Sequence, residues 1–235
     1  MLLTVTEEGF IKMNEEILQR LDAKKFTEEE KSVIKELVKD ELLYDAALRE
    51  LKTKVEILRE DFRRSMPYNP IEHIKTRIKQ PCSILKKAYM RDWPLNAEYI
   101  KENMNDLAGI RIVCTFKSDI MRIADILLKH GDMEVVKVKD YITNPKESGY
   151  QSYHIIVKVP VHMVSGLQYC KVEIQLRTMA MDFWASLEHK IKYKYDYEIP
   201  EEIKEELHYC SEIVDMLDDN MYNLHSKVHN QVELQ

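Results

Sequence analysis

Apolar positions between residues 29 and 64 recur in alternating steps of three and four, and Glu41 interrupts the series. This spacing places them on one face of an α-helix, so one long helical arm over about residues 29–64 is predicted. Thr27 and Glu30 have the spacing of a capping box and predict where the arm begins. Pro70 suits the first turn of a helix, so a second helix is expected to follow it.

The middle of the chain changes to the apolar strand-like runs, most of them alternating with polar residues, that are typical of β-strands. Strands are predicted over residues 109–116, 134–141, 152–159 and 170–177. Loops are predicted at residues 143–149 and 160–166, and helices over residues 118–130 and 178–195. The change of period from one part of the chain to the next predicts a sheet with helices around it.

The last part of the chain returns to helical spacing. Apolar residues from Ile203 to Val228 recur in steps of four and three, a 3.5-residue repeat that is typical of helices packed along one another. We therefore predict a C-terminal helix over about residues 200–230, whose stripe packs on this chain or on another subunit. Central strands with helices at both ends predict one α+β domain over residues 1–235, with its core over about residues 70–195.

Composition indicates a charge-rich globular protein. The 235 residues are 45% hydrophobic and 32% charged, and the net charge is −6, so bulk electrostatic binding to nucleic acid is not expected. Residues 73–91, here called the basic strip, nevertheless carry six Lys and Arg and no acid. The strip is either a local anion site or a solvated helix face.

Cysteine usage and hydropathy restrict the location of the protein. The four cysteines lack the C-x-x-C spacing of a zinc or redox motif, and two of them lie in apolar runs. No run reaches the ~18 apolar residues of a membrane span, and the first residues do not resemble a signal peptide. We expect a reduced, cytoplasmic protein that does not bind a membrane.

The strongest chemical signal lies in residues 146–154, K-E-S-G-Y-Q-S-Y-H, between two predicted strands. In the strand that follows, Glu173, Gln175 and Arg177 alternate and therefore point from one face. Cations and an aromatic ring suit a nucleotide, and a carboxylate suits a metal ion or a proton. Because only five glycines are present, none in a phosphate-binding glycine motif, side chains would have to bind the phosphates.

Each candidate residue also has a structural interpretation at this point. Asp106, just before a glycine that enters a strand, is either a metal ligand or a turn residue. Glu173 is either a catalytic carboxylate or an ordinary outward-facing residue. Tyr150 either stacks on a base or packs at a strand edge. His154 is either part of a site or a buried structural histidine.

Five motifs in order resemble the synthetase domain of the Rel/SpoT homologue superfamily. They are D-L-A-G-I-R at 106–111, K-D-Y-I at 139–142, K-x-x-G-Y-x-S-x-H at 146–154, E-I-Q-L-R-T at 173–178 and A-M-D-F-W-A-x-L-E-H at 180–189. The resemblance covers about residues 40–225 and extends to the small alarmone synthetases of the RelP type. It implies a nucleotidyltransferase-like synthetase fold with a central mixed β-sheet of about four to five strands, and a homotetramer.

The resemblance also implies an activity: transfer of pyrophosphate from ATP to the ribose 3′-hydroxyl of GDP or GTP, with Mg²⁺ as cofactor. The implied catalytic and metal-binding residues are Asp106 and Glu173. The implied ATP-binding residues, of which the two arginines would hold adenine between them, are Arg77, Lys79, Lys86, Lys87 and Arg111. The implied guanine-nucleotide residues are Lys139, Lys146, Tyr150, His154, Gln175, Asp182 and Glu188. Gln151 departs from the pattern, because many relatives have arginine there.

The alternative function is a catalytically silent nucleotide- or RNA-binding regulatory module on the same fold, using the basic strip. RNA is compatible with the strip but is not indicated by it. The presence of both Asp106 and Glu173 favours the enzyme, since a silent module has no use for them. A purely helical scaffold would explain the two apolar stripes but not these residues. The preferred acceptor among GDP, GTP and GMP stays open.

Overall fold

The computed structural model describes residues 26–194 and 199–232 of the chain. Its helices are α1 (Glu28–Lys39), α2 (Glu41–Ser65), α3 (Pro81–Met90), α4 (Ala97–Asn103), α5 (Lys117–Leu128), α6 (Met179–Lys194) and α7 (Glu201–Val232). Its strands are β1 (Ile71–Ile78), β2 (Ala108–Cys114), β3 (Glu134–Asp140), β4 (Tyr153–Met163) and β5 (Gly166–Thr178). No helix in these two described ranges is long and apolar enough to cross a membrane.

The five strands form one sheet in the order β1-β2-β5-β4-β3. The central strands β2 and β5 run parallel, and every other neighbouring pair is antiparallel. The sheet is therefore mixed, and helices cover it, so the predicted α+β class with a sheet of about four to five strands is confirmed.

The two faces of the sheet differ in polarity because the strand register brings apolar residues of neighbouring strands to one face and polar residues to the other. Residues that pair across neighbouring strands project from the same face. One face is apolar and carries fully buried residues such as Ile110, Ile112 and Ile174, and α2 crosses it in contact with four strands. The other face carries polar residues from all five strands, and it is the face that holds the candidate site.

The N-terminal arm differs from its prediction at one point. The capping box is present, since Thr27 and Glu30 exchange side-chain-to-backbone hydrogen bonds. The single helix predicted over 29–64 is wrong, because Asp40 leaves the helical conformation and separates α1 from α2. Asp40 pairs with Lys101 of α4 at 2.6 Å. α1 consequently packs against α4, whereas α2 packs across the sheet.

The helix predicted after Pro70 is also wrong, because this segment is the edge strand β1. The prediction rested on Pro70, and the spacing of Ile71, Ile74 and Ile78 is also compatible with a helix. In the structure a β-bulge between Ile71 and His73 shifts the register of β1 against β2. Pairing with β2 therefore overrides the local pattern. The basic strip is divided between β1 and α3, and Pro81 begins α3.

The loop predicted at residues 160–166 is shorter in the structure. β4 continues to Met163, β5 begins at Gly166, and these two residues pair across a tight hairpin. Gly166 has φ +109°, a conformation in which a β-carbon is strained. The result is a long hairpin that carries the motif residues of β4 and β5 to the same end of the sheet.

Candidate active site

Two carboxylates mark the centre of the polar face. Glu173 lies on β5 opposite Gly109 of β2, and Asp106 lies in the segment that leads into β2. Only 8% of Glu173 is exposed. The negative charge of Asp106 acts on Glu173 in the direction that raises its pKa.

Lysines surround Asp106. Its two oxygens accept hydrogen bonds from Lys79 Nζ at 2.8 Å and Lys87 Nζ at 2.7 Å. Burial alone would raise the pKa of Asp106, but the two ammonium groups outweigh it and hold that pKa at about 2. Lys86, the next residue in α3, is exposed. The structure therefore brings two of the three predicted phosphate-binding lysines onto the acid, and an anionic phosphate would compete for the same cations.

Hydrogen bonds fix the carboxylate of Glu173. His154 Nδ1 lies 3.3 Å from one oxygen, and Gln175 Nε2 donates to the other at 2.8 Å. Burial opposes ionisation of Glu173, but these two contacts more than offset it, so its pKa lies below the usual value. Burial lowers the pKa of His154, which favours the neutral imidazole, and its Nδ1 is the nitrogen that faces the carboxylate. Glu173 is thus ionised and available as a base or as a metal ligand.

Arg177 joins several motif residues and was not among the predicted site residues. Only 4% of it is exposed, and its guanidinium donates to Tyr150 Oη at 2.6 Å and to Asp182 Oδ1 at 3.2 Å. It also donates to Gln175 Oε1 at 3.3 Å. The signal was present in the sequence, since Arg177 continues the alternation that begins at Glu173.

Cations lie against the ring of Tyr150. Lys146 Nζ is 4.6 Å from the ring centre, and the guanidinium carbon of Arg177 is 5.1 Å from it. Lys146 also lies 4.8 Å from the ring centre of Tyr141. Lys139 of β3 pairs with His154 of β4 and so projects from the same face. This group combines aromatic rings with positive charge, as a nucleotide requires.

The two predicted adenine-binding arginines lie on neighbouring strands. Arg77 of β1 is exposed and pairs with Gly109 of β2, two residues before Arg111. Arg111 is held by Asp182 at 2.9 Å, while its Nε is buried without a hydrogen-bond partner in the described structure. Burial, with the nearby charges of Arg177 and Arg77, lowers the pKa of Arg111. An unsatisfied donor on a guanidinium plane suits a polar ligand.

Helices α6 and α7 support the motif loop from behind. Glu188 of α6 is buried and pairs with Lys192. Gly149 has φ +80°, and a β-carbon there would lie 1.9 Å from Ser211 Oγ of α7. His208 Nδ1 lies 3.1 Å from the carbonyl oxygen of Glu147. Only glycine therefore fits at position 149, and α7 sets the position of the loop that carries Lys146 and Tyr150.

The carboxylate pair suits a hard divalent cation. No cluster of three or more candidate metal-ligating side chains occurs in the described ranges. Asp106 and Glu173 alone leave most coordination positions to water or to phosphate oxygens, which is how Mg²⁺ is usually held in phosphate chemistry. A pair of ionised carboxylates beside two groups of cations can align two polyphosphates and accept a proton between them.

Comparison with known proteins identifies the family. The family model described as a region found in RelA/SpoT proteins matches residues 76–198. GTP pyrophosphokinase YwaC of Bacillus subtilis is 41% identical over 198 residues, which are 84% of this chain and 94% of that protein.

Solved structures agree with this match. Small alarmone synthetase 1 from Bacillus subtilis bound to its product pppGpp has a TM-score of 0.74 and 42% identity, covering 79% of this chain and 94% of that one. The same synthetase bound to AMPCPP has a TM-score of 0.69 and 39% identity, covering 80% and 94%. The resemblance of the sequence motifs to this family is thereby confirmed: the chain belongs to the RelA/SpoT family, among its small alarmone synthetases.

Proposed function

We propose that the protein is a GTP pyrophosphokinase, which transfers the pyrophosphoryl group of ATP to the ribose 3′-hydroxyl of GDP or GTP. The observation that carries this proposal is a pair of ionised carboxylates, Asp106 and Glu173, on a sheet face with two separate groups of cations. The relatives are named GTP pyrophosphokinase, and the similar structures hold pppGpp or AMPCPP, an ATP analogue.

The reaction requires one bond to form and one to break. The acceptor 3′-oxygen bonds to the β-phosphorus of ATP, the bond between that phosphorus and the oxygen bridging to the α-phosphate breaks, and AMP leaves with the electron pair. Glu173, ionised and buried, takes the proton of the 3′-hydroxyl. Positioning and electrostatic stabilisation by the surrounding cations lower the barrier.

The two groups of cations divide between the two substrates. On the donor side, Lys79, Lys87 and the exposed Lys86 bind the ATP phosphates, and Arg77 and Arg111 hold adenine. On the acceptor side, Tyr150 stacks on guanine. The remaining acceptor-side residues, which bind phosphates or line the pocket, are Lys139, Lys146, His154, Gln175, Asp182 and Glu188. The sheet register supports this division for the residues on strands, because Arg77 and Arg111 lie on β1 and β2, whereas Lys139, His154 and Gln175 lie on β3, β4 and β5.

Mg²⁺ is the cofactor that the donor set fits, with Asp106 and Glu173 as its protein ligands. When bound, the ion neutralises negative charge on the phosphate oxygens and helps to align them. Lys79 and Lys87 keep Asp106 ionised, and their hydrogen bonds still leave lone pairs of the carboxylate for a cation.

The proposal includes the organisation of the protein. Residues 1–235 form a single synthetase domain with helical arms, which works in the cytoplasm as a homotetramer. The second half of the α7 stripe supports assembly, because Leu217, Met221 and Leu224 are each more than half exposed. Light scattering should give a particle near four times the chain mass of 28.0 kDa, and a monomer at micromolar concentration would contradict the assembly.

The test of the activity is incubation of purified protein with ATP, Mg²⁺ and GDP, GTP or GMP, followed by chromatographic separation of the products. AMP and a pyrophosphorylated guanine nucleotide should appear in equal amounts. Glu173→Gln should reduce the rate by about 10²–10⁴-fold, whereas Glu134→Gln, the same change at the exposed end of β3, should not. Binding of both nucleotides without any product would favour the silent regulatory module instead.

A further inference from the structure

Arg177 is a buried cation that donates hydrogen bonds to four other side chains. It is 4% exposed, and its guanidinium contacts Tyr150, Gln175, Asp182 and Ser152 at 2.6 to 3.4 Å. Arginine stays protonated and can only donate, so each of these contacts has a fixed direction. A planar guanidinium held by four partners cannot rotate without losing several of them.

Two series of contacts, here called arms, run from Arg177 to Glu173, and the first passes through Tyr150 and His154. The phenol oxygen of Tyr150 accepts from Arg177 at 2.6 Å, and its own proton is then free for His154 Nε2 at 2.9 Å. With Nε2 as the acceptor, His154 carries its proton on Nδ1, which faces a carboxylate oxygen of Glu173 at 3.3 Å. The arginine donor at one end and the carboxylate acceptor at the other thus favour the same tautomer of the histidine, with the proton on Nδ1.

The second arm reaches the other oxygen of the same carboxylate. Gln175 Oε1 accepts from Arg177 at 3.3 Å, and Gln175 Nε2 donates to Glu173 at 2.8 Å. The amide can be oriented in only one way, since the arginine needs an acceptor and the carboxylate needs a donor. A closed ring, here called the Arg177 ring, therefore joins Arg177, Tyr150, His154, Glu173 and Gln175. Four of its links are hydrogen bonds, and the fifth is the 3.3 Å contact between His154 Nδ1 and Glu173.

We propose that Arg177 is a positioning residue for pyrophosphate transfer, which orients both carboxylate oxygens of Glu173 through the two arms of the Arg177 ring. The inference rests on the proposed function, because it concerns how the catalytic carboxylate is aimed. It gives Tyr150 a second role, in which the hydroxyl group orients His154 while the ring faces the acceptor base.

Loss of one arm should affect the rate more than substrate binding. Residues that orient a reacting or ligating group typically contribute about 10–100-fold. A change that disturbs only the transition state lowers kcat and leaves KM nearly unchanged. Tyr150→Phe keeps the ring that would stack on guanine and removes only the hydroxyl, so it separates the two roles of this residue.

The experiment compares Tyr150→Phe and Arg177→Lys with the wild type and with Tyr153→Phe. Tyr153→Phe is the matched control, since it removes a hydroxyl from β4 on the opposite, apolar face. We expect Tyr150→Phe to lower kcat at least about tenfold with a KM for the guanine nucleotide within about threefold. Arg177→Lys keeps the charge but shortens the side chain and removes the planar guanidinium, which also contacts Ser152 and Asp182, so a similar fall is expected.

The tautomer of His154 gives a readout that does not depend on activity. Nitrogen-15 NMR of the imidazole should show Nδ1 protonated and Nε2 unprotonated in the wild type and in Tyr153→Phe. In Tyr150→Phe, Nε2 has lost its donor, and the spectrum should change. An unchanged His154 spectrum, or kcat within twofold of wild type in Tyr150→Phe, overturns the inference alone. Wild-type protein that forms no product with any acceptor overturns the proposed function and the inference with it.

Discussion

Gly149 is the position at which a single methyl group should disturb the acceptor loop most. In Gly149→Ala the new β-carbon meets two obstacles, a backbone φ of +80° and the side chain of Ser211 in α7. The left-handed conformation costs a β-carbon about 1–2 kcal/mol. The β-carbon would also lie 1.9 Å from Ser211 Oγ and 2.5 Å from Ser211 Cβ, and relief of such an overlap costs about 1–3 kcal/mol. The free energy of unfolding should therefore fall by about 2–5 kcal/mol.

Two other glycines separate the two contributions. Gly166 has φ +109°, but no atom lies within 4 Å of the point that a β-carbon would occupy, so Gly166→Ala measures the backbone strain without the overlap. Gly131 has neither feature, so Gly131→Ala should be neutral or slightly stabilising. The assay is urea unfolding at one fixed protein concentration, followed by circular dichroism.

A double substitution tests the overlap directly. Ser211→Gly removes both offending atoms, and by itself should cost about 1 kcal/mol as a glycine within a helix. Combined with Gly149→Ala it should recover the overlap energy, which gives a coupling of about 1–3 kcal/mol between the two positions. If Gly149→Ala destabilises no more than Gly166→Ala, or if the coupling is zero, α7 does not set the position of the loop.

Three further outcomes are expected. Lys79→Met should raise the pKa of Asp106 above about 2. A depressed carboxyl pKa stabilises the folded protein at neutral pH, and this stabilisation is lost as the pH falls through that pKa. The variant should therefore lose most unfolding free energy relative to wild type at pH 7, and the difference should shrink below about pH 4. Glu41→Gln should instead increase the unfolding free energy, since burial raises the pKa of Glu41 and its Oε2 has no partner in the described structure. In urea unfolding the gain should be present at pH 7 and should disappear near pH 3. Leu217→Glu should shift the particle measured by light scattering to a smaller size, with Leu42→Glu, also exposed but on α2, as the control.

The sequence predicted the central strands of the sheet better than the edge strand β1, which carries Arg77. Motif residues on β5 and β4 were placed correctly because their alternation is strong and both strands lie in the centre of the sheet. β1 was missed because it is an edge strand with one buried isoleucine at its start, and its apolar spacing suits a helix. The bulge that corrects its register depends on pairing with β2, which no local pattern reveals.

The same limit explains Arg177. Its position in the alternation of β5 was visible, and its partners lie in the loop at Tyr150 and at the start of α6. Among the side chains that point from this face of β5, the sequence does not tell which one contacts a substrate and which one is buried by other parts of the protein. That distinction depends on packing against the loop at Tyr150 and against Asp182 of α6, both of which contact Arg177, a residue that is only 4% exposed. Burial is a property of packing between distant segments.

The stripe on α7 does not keep one neighbour along its whole length, although its period is regular. A 3.5-residue repeat on a helix of 3.6 residues per turn rotates by about 20° with each heptad. Leu207, early in the stripe, is therefore buried, and its carbonyl accepts from Trp184 Nε1 at 3.0 Å. By Leu217 and Leu224 the stripe has turned outward, and these residues are 52% and 55% exposed.

After Leu207, the face of α7 that packs on the rest of the protein carries buried polar residues. Ser211 and Asp218 are buried there, and Asp218 accepts a hydrogen bond from Thr178 at 2.5 Å. This face of α7 approaches Gly149 and the end of β5, so it requires residues that are small or that form hydrogen bonds. The apolar stripe and the intramolecular contact thus diverge along one helix. An exposed row of leucine and methionine is then left uncovered, and in the proposed assembly a second copy of α7 would cover it.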